Sequence, residues 1–387
     1  LYLGSYASGD NYMDMSAITP STMQLNRLKW ETTTEYNTGL DASFLKGKLR
    51  FTVDVYQKYI KDLLQKKVKM PTSIGYGNGY EVSYMNSGKM TNKGWEFRVD
   101  AVPFENRDWR VGFYFNIAHN ENKITEMPDN YTEENYTFNN GEYAYRREEG
   151  RPMGSFYGYR YKGVCQNKDA TYARDADGNV MKDISGNAIV MRNGTATIAP
   201  GDALYEDINH DGVINQYDIV YLGNSNPRFT GGAGVNVSYK QFKLSAIFYG
   251  RYGQDVVNST RLNNESMRGI DNQSTAVLRR WRNEGDQTDI PRALYGEGYN
   301  TLGSDRFVED ASYLRLKSLS FNYRLPKKII QRWGFSNIDV YVTGYNLFTW
   351  TKYTGQDPEV KTENTYARDS ATTPASIQLV AGFNLSF

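Results

Sequence analysis

The run Asp207-Ile208-Asn209-His210-Asp211-Gly212-Val213-Ile214-Asn215-Gln216-Tyr217-Asp218 sets oxygen-bearing side chains at positions 1, 3, 5, 9 and 12 of a loop, with glycine at position 6. That is the pattern of a calcium loop, because Ca²⁺ takes several oxygens in a flexible cage. Asp207, Asn209 and Asp211 supply side-chain oxygens, Val213 offers its carbonyl, and Asn215 acts through a water. Gly212 permits the sharp turn, and Ile214 is the apolar residue that pins the loop to its surroundings. Asp218 stands at position 12 where Glu is usual. Its shorter reach weakens bidentate closure and implies modest affinity, with a Kd of about 10⁻⁴–10⁻³ M. An ion-free loop built from Asx turns is the other reading of the same residues. Under either reading the role is structural.

Other polar groups point to less. Asp175-Ala176-Asp177-Gly178-Asn179 and Ser185-Gly186-Asn187 read as hairpin turns. His119 and His210 have no Ser or Cys partner that the sequence identifies, so no hydrolytic triad is read. Cys165 follows an aromatic run and reads as a buried, inert thiol. Thr275–Arg282 reads as a short helix in which Trp281 anchors a loop. Tyr76, Tyr80, Tyr131, Tyr136, Tyr143 and Tyr145 fall in long loops and suit packing better than ligand contact.

Composition narrows the elements that carry these residues. The 387 residues include 45 Lys+Arg against 44 Asp+Glu, two His and one Cys. The balanced charge argues against nucleic acid as a partner. The Cys and His counts exclude a disulfide framework and a zinc set. No run reaches the ~20 apolar residues of a membrane helix, a test that leaves β-barrels untouched because their strands need only ~9–11. The 32 Tyr, 35 Gly and 14% aromatic residues suit a soluble all-β protein or an outer-membrane barrel with aromatic girdles.

Alternation marks the strands under both readings, and the loops decide between them. Trp95, Phe97, Val99 and Ala101 face one side while Glu96, Arg98 and Asp100 face the other. Period 2 recurs in 109–118, 229–239, 242–253, 310–325, 337–351 and 379–387, and means strand. Short links near 46–48, 105–108, 240–241 and 326–335 alternate with long ones near 63–85, 125–227, 256–306 and 352–373. Short turns at one end and long loops at the other mark an antiparallel transmembrane β-barrel of the bacterial outer membrane. About ten strands of membrane length are expected, counting Leu1–Ser8. The chain ends on Phe387 at the close of an alternating strand, like the assembly signal of such barrels. An open edge in lipid is very costly, so partners for the edge strands are expected elsewhere.

Several separated blocks then resemble one family, the SusC/RagA type of TonB-dependent outer-membrane transporters of Bacteroidetes. They are LKWETTTEYNTGLDASF at 28–44, NKGWEFRVDA at 92–101, GRPMGSFYGYRYKGV at 150–164 and DINHDGVINQYDIVYLGNSNPRFTGG at 207–232. RRWRNEGDQTDIPR at 279–292, YLRLKSLSFNYRLP at 313–326, NLFTWTKYTGQDPEV at 346–360 and the terminal VAGFNLSF complete the set. Gln356 departs from the apolar or aromatic residue expected there. The resemblance implies that residues 1–387 are the C-terminal part of a 22-stranded barrel, without its plug domain and N-terminal strands. It also implies a SusD-like surface lipoprotein as a lid, and import powered by the TonB complex through the missing N-terminal region. The implied cargo is an oligosaccharide or an oligopeptide, and the implied surroundings are outer-membrane lipid. Residues 125–227 then form a long extracellular loop holding the calcium-type loop at 207–218. A calcium-stiffened surface binding or adhesion β-protein without transport is the alternative. A role as an outer-membrane enzyme finds no nucleophile–base pair to support it.

Overall fold

Alternating side chains and turn residues produce nine strands in a single antiparallel sheet. They are β1 (Thr32–Phe44), β2 (Leu49–Lys61), β3 (Lys89–Glu105), β4 (Trp109–Glu126), β5 (Phe229–Tyr239), β6 (Phe242–Tyr252), β7 (Tyr313–Arg324), β8 (Asn337–Thr351) and β9 (Gln378–Ser386). Each pairs only with its neighbours in sequence, so the sheet is a meander from β1 to β9. The computed structural model describes residues 4–12, 15–69, 73, 81–86, 88–127, 134–135, 141–296, 299–360, 362–363 and 366–387. Among these, nothing pairs with the outer side of β1 or of β9.

The opening segment behaves differently from the barrel strand expected at Leu1–Ser8. Ser5–Tyr12 pairs with Met15–Thr22 in a separate two-stranded sheet. A hairpin partner so close in sequence costs little loop-closure entropy, and a short alternating run does not by itself specify its partner. Residues 1–3 lie outside the described residues.

The four short links gather at one end of the sheet. Leu45, Lys46 and Gly47 all take positive φ between β1 and β2. Between β3 and β4 the Asn106 side chain accepts from the N–H groups of Asp108 and Trp109 at 2.9 and 2.8 Å. Lys240 takes a φ of 51° at the β5–β6 turn. A short helix, Lys327–Ile330, and a following turn bridge β7 to β8.

The register sorts the two faces. One unbroken row crosses all nine strands through Phe44, Leu49, Ala101, Phe113, Val235, Ala246, Leu319, Gly344 and Leu379. The adjacent row, on the opposite face, runs Ser43, Arg50, Asp100, Tyr114, Gly234, Ile247, Ser318, Tyr345 and Gln378. The first face is apolar and uncovered: Phe113 is 41% exposed and Phe383 68%. Among the described residues nothing packs over it, and lipid is the natural solvent for such a face. Aromatic pairs flank it at both ends. Trp109–Tyr239 at 4.3 Å and Phe242–Tyr323 at 4.7 Å lie near the short links. Trp95–Phe229 at 6.2 Å and Phe348–Trp350 at 6.2 Å lie toward the long loops. These are the girdles of a membrane barrel.

The two faces predict opposite responses. Phe115→Arg, on the apolar face, should lower barrel stability by about 2–4 kcal/mol in detergent or lipid unfolding, as charge at mid-membrane does. Asn116→Arg, one residue on and facing inward, should cost under about 1 kcal/mol. Equal losses at the two sites would contradict the assignment of faces.

Candidate functional site

The long connections build a second body at the end of the wall opposite the short links, and it holds the buried apolar clusters. Tyr143 and Phe156 of the loop after β4 pack with Val257, Leu262 and Phe307 of the loop after β6, and with Tyr366 of the loop after β8. A neighbouring cluster joins Val256, Ala311, Tyr353 and Ala367. A third sits around Tyr159, Ala173, Met191, Ile198, Tyr205, Ile214 and Leu302. Three loops far apart in sequence thus share one interior, which makes the mouth of the wall a fixed surface.

Polar clamps lock the same loops. Arg292 holds Asp202 through bonds of 2.7 and 3.1 Å, and the Asn300 amide donates to Asp202 at 3.2 Å. Trp281 lies against Gly201, where an added Cβ would come within 2.4 Å of the indole. Gly201 also takes a φ of 91°, so both space and backbone require glycine there. Trp281 is therefore the loop anchor expected from the sequence. Its segment forms a 3₁₀ turn over Thr275–Arg279.

A further clamp ties the last long loop to the inner face of the wall. The buried Arg315 on β7 donates to Glu359 at 2.8 Å, to Asp357, and to the Thr349 hydroxyl at 2.8 Å. Lys317, two residues along the strand, donates to Glu359 at 2.8 Å. Burial alone would raise the Asp357 carboxyl. Hydrogen bonds from the N–H groups of Ala375 and Glu359, together with Arg315, outweigh that and hold it below its ordinary 3.8. Sequence reasoning missed this clamp. Its signal was present: two cations spaced i, i+2 on the polar face of one strand, and Asp-Pro-Glu at 357–359 in the next loop.

The 207–218 loop has the local shape expected of it. Gly212 takes a φ of 78°, and Ile214 is fully buried in the third cluster. Asp207 accepts from the N–H groups of Asp211 at 3.2 Å and Gly212 at 2.8 Å, and Asn209 accepts from Asp211 at 3.2 Å. Asp211 accepts from Val213 N–H at 2.7 Å. Asp218 is fully buried and accepts from Ile208 and Asn215, both at 2.8 Å. Burial, reinforced by the charge of Asp207, pushes its carboxyl above the usual range. Asp207, Asn209 and Asp211 thus turn oxygens toward the same stretch of backbone. The Val213 carbonyl accepts from the Asn215 amide at 3.1 Å. Each of these oxygens keeps a second lone pair, so the donor chemistry fits a hard cation. No three Asp, Glu, His or Cys side chains among the described residues are grouped as a metal site. The loop closes on its own amides.

The remaining candidates separate. Asp175 and Asp183 each accept from two backbone N–H groups in successive tight turns, with Gly178 and Gly186 at positive φ, as hairpin turns do. Cys165 is buried, and burial pushes its thiol up to about 11. His210 is exposed with Nδ1 3.2 Å from the Arg174 carbonyl, whereas His119 Nδ1 lies 2.6 Å from the Arg228 carbonyl. Tyr143 is a core residue whose hydroxyl donates to the Ser304 carbonyl at 2.7 Å. Tyr145 lies on a two-residue strand paired with Glu134–Asn135. Tyr76, Tyr80, Tyr131 and Tyr136 lie outside the described residues.

Comparison with known proteins agrees with this geometry. A family model described as TonB dependent receptor-like, beta-barrel matches residues 4–347. TonB-dependent receptor P3 of Formosa agariphila is 32% identical over 349 residues, 88% of this chain and 32% of that protein. TonB-dependent receptor SusC of Bacteroides thetaiotaomicron is 27% identical over 392 residues, 99% of this chain and 34% of SusC. The solved structure of the RagAB peptide transporter superposes with a TM-score of 0.70 at 26% identity, over 100% of this chain and 39% of that one. The chain spans about a third of the length of these relatives.

Arg315→Ala should release the loop at 352–373, raising its cleavage by protease and costing about 2–3 kcal/mol, because Asp357 loses its cation and Glu359 keeps only Lys317. Asp357's carboxyl is held low, so its contribution is complete above its ordinary 3.8 and is lost as pH falls through the lowered value. Protection of the loop should therefore be flat from pH 8 to 5 and fall only in stronger acid. Protection that already declines between pH 7 and 5 would assign the latch to another group.

Proposed function

This chain belongs to the TonB-dependent receptor-like β-barrel family, and on that premise we propose that it forms part of an importer of oligosaccharides or oligopeptides. It is a SusC/RagA-type barrel segment of the bacterial outer membrane. The observation that carries the proposal is the division of apolar surface. The wall keeps its apolar face uncovered, while the long loops alone hold the buried clusters. A wall of this kind separates lipid from a polar lumen, and a stiff mouth can capture cargo before passage. Binding, orientation and release suffice for such a protein, so no covalent step is assigned to any residue.

A SusD-like lipoprotein over the loop body and TonB acting through polypeptide outside residues 1–387 complete the proposal. RagAB is described as a peptide transporter and importer, with closed-closed and open-open states, which favours a lidded mouth here. Loss of this gene and loss of TonB should each abolish uptake of the same oligomer in cells offered defined glycan or peptide pools. Uptake that survives without TonB would overturn the proposal.

We also infer that the 207–218 loop takes one structural Ca²⁺ through Asp207, Asn209, Asp211, Val213 and Asp218. The support is that Asp207, Asn209 and Asp211 all accept from backbone N–H groups within residues 211–213, and that the Asp218 carboxyl closing the loop is buried. Calorimetric titration should give a Kd of about 10⁻⁴–10⁻³ M, lost in Asp211→Ala. No heat with the unaltered protein would leave the loop as an ion-free Asx-turn structure.

A further inference from the structure

One inner-face row, nearer the long loops than the row of Arg50 and Asp100, keeps its charges of opposite sign apart. It runs through Asp54, Glu96, Ala118, Thr230, Arg251 and Tyr313. Asp54 and Glu96 stand directly opposite each other on β2 and β3, where like charges repel. Among the described residues neither carboxylate has an ion-pair or hydrogen-bond partner. With Thr52, Asn116 and Ala118 they line a pocket of about 280 Å³. Arg98, the cation in that lining, is committed to Asp100 through two bonds of 2.7 Å.

The other end of the row is basic. Arg251 donates through Nε to the Tyr249 hydroxyl at 3.2 Å and has no ion-pair partner among the described residues. The carboxylates of the neighbouring clamp are taken, Asp357 by Arg315 and Glu359 by Arg315 and Lys317. Tyr313 pairs with Arg251 in the β6–β7 ladder, and its ring lies 6.3 Å from that of Tyr249. Tyr313 is 5% exposed, and its hydroxyl has no partner among the described residues. A carboxylate drawn to Arg251 supplies the acceptor that this hydroxyl lacks. Only the small Ala118 and Thr230 stand between the two ends.

Such a row suits a ligand with one charge of each sign. From Glu96 to Arg251 is three strand spacings, about 14 Å. A metal ion or a small anion answers one end alone, and a neutral sugar chain answers neither. An extended peptide carries an ammonium and a carboxylate at its two ends, and about four residues at 3.3–3.6 Å each cover the span. The three N–H donors of an ammonium can engage both carboxylates at once.

We propose that this row seats a short zwitterionic peptide, its N-terminal ammonium on Asp54 and Glu96 and its C-terminal carboxylate on Arg251 and Tyr313. The proposal rests on the importer reading and names peptide as the cargo of that lumen. Exposed charge pairs hold weakly, which suits a cargo that must leave again.

The test titrates the whole outer-membrane protein in detergent with a pentapeptide of alanine, glycine and serine, made with free ends, acetylated, amidated, or both. Calorimetry should show each single block weakening binding to the unaltered protein by about fivefold. Arg251→Gln should remove the effect of amidation and leave that of acetylation. Glu96→Gln should do the reverse, and Arg251→Lys should keep both effects. Free and blocked peptides that bind alike, or variants that weaken every peptide equally, overturn the proposal. So does an absence of peptide binding. If a neutral pentasaccharide is then taken up in a TonB-dependent way, the importer reading stands without this site. Barrel-type heat-modifiable migration in gels, kept in every variant, shows that each still folds.

Discussion

A sheet whose apolar face has no protein behind it can persist only where another apolar phase covers that face. In this chain the row from Phe44 to Leu379 crosses nine strands without one charged residue. Hydrocarbon can cover it, but hydrocarbon offers no hydrogen bonds to the backbone. The other features answer those two demands. The strands pair continuously along the meander, aromatic girdles mark the two interfaces, and irregular backbone is kept to the ends. The polar chemistry is driven to the inner face, where water is available.

The loops face the reverse problem. Long irregular segments in water must gain an interior of their own or stay loose. Here they gain it together, as Tyr143, Phe156, Val257, Leu262, Phe307 and Tyr366 come from three separate connections. No single loop could bury that surface. Ion pairs such as Arg292–Asp202 and the Arg315 clamp then set the loops against one another and against the wall. The mouth is stiff for the same reason that a small domain is stiff.

How much of this was legible follows from the range of the interactions. Alternation is a local property, so Trp95–Ala101 and Trp109–Ile117 announced their faces before any partner was known. Turn chemistry is equally local, and Gly178, Gly186 and Gly212 took the positive φ that their motifs require. Ile214 was readable as a pin for its loop, while the residues it packs against were not. Arg315 and Asp357 belong to different segments, and only the fold brings a strand cation to a loop carboxylate. The quoted blocks at 313–326 and 346–360 contained both residues without revealing that they meet. The segment near Leu1–Ser8 shows the limit from the other side, since alternation named it a strand without naming its partner.

Among the described residues β1 and β9 have no partner on their outer sides, and any such margin carries a consequence for biogenesis. A ladder of free N–H and C=O groups is tolerable beside water or a chaperone but ruinous once immersed in acyl chains. Stepwise entry of individual hairpins into the bilayer would therefore climb a steep hill, with relief only when the final seam zips shut. Insertion should behave as a near all-or-none event, in which the ring is sealed against an assembly factor before it is released sideways into lipid.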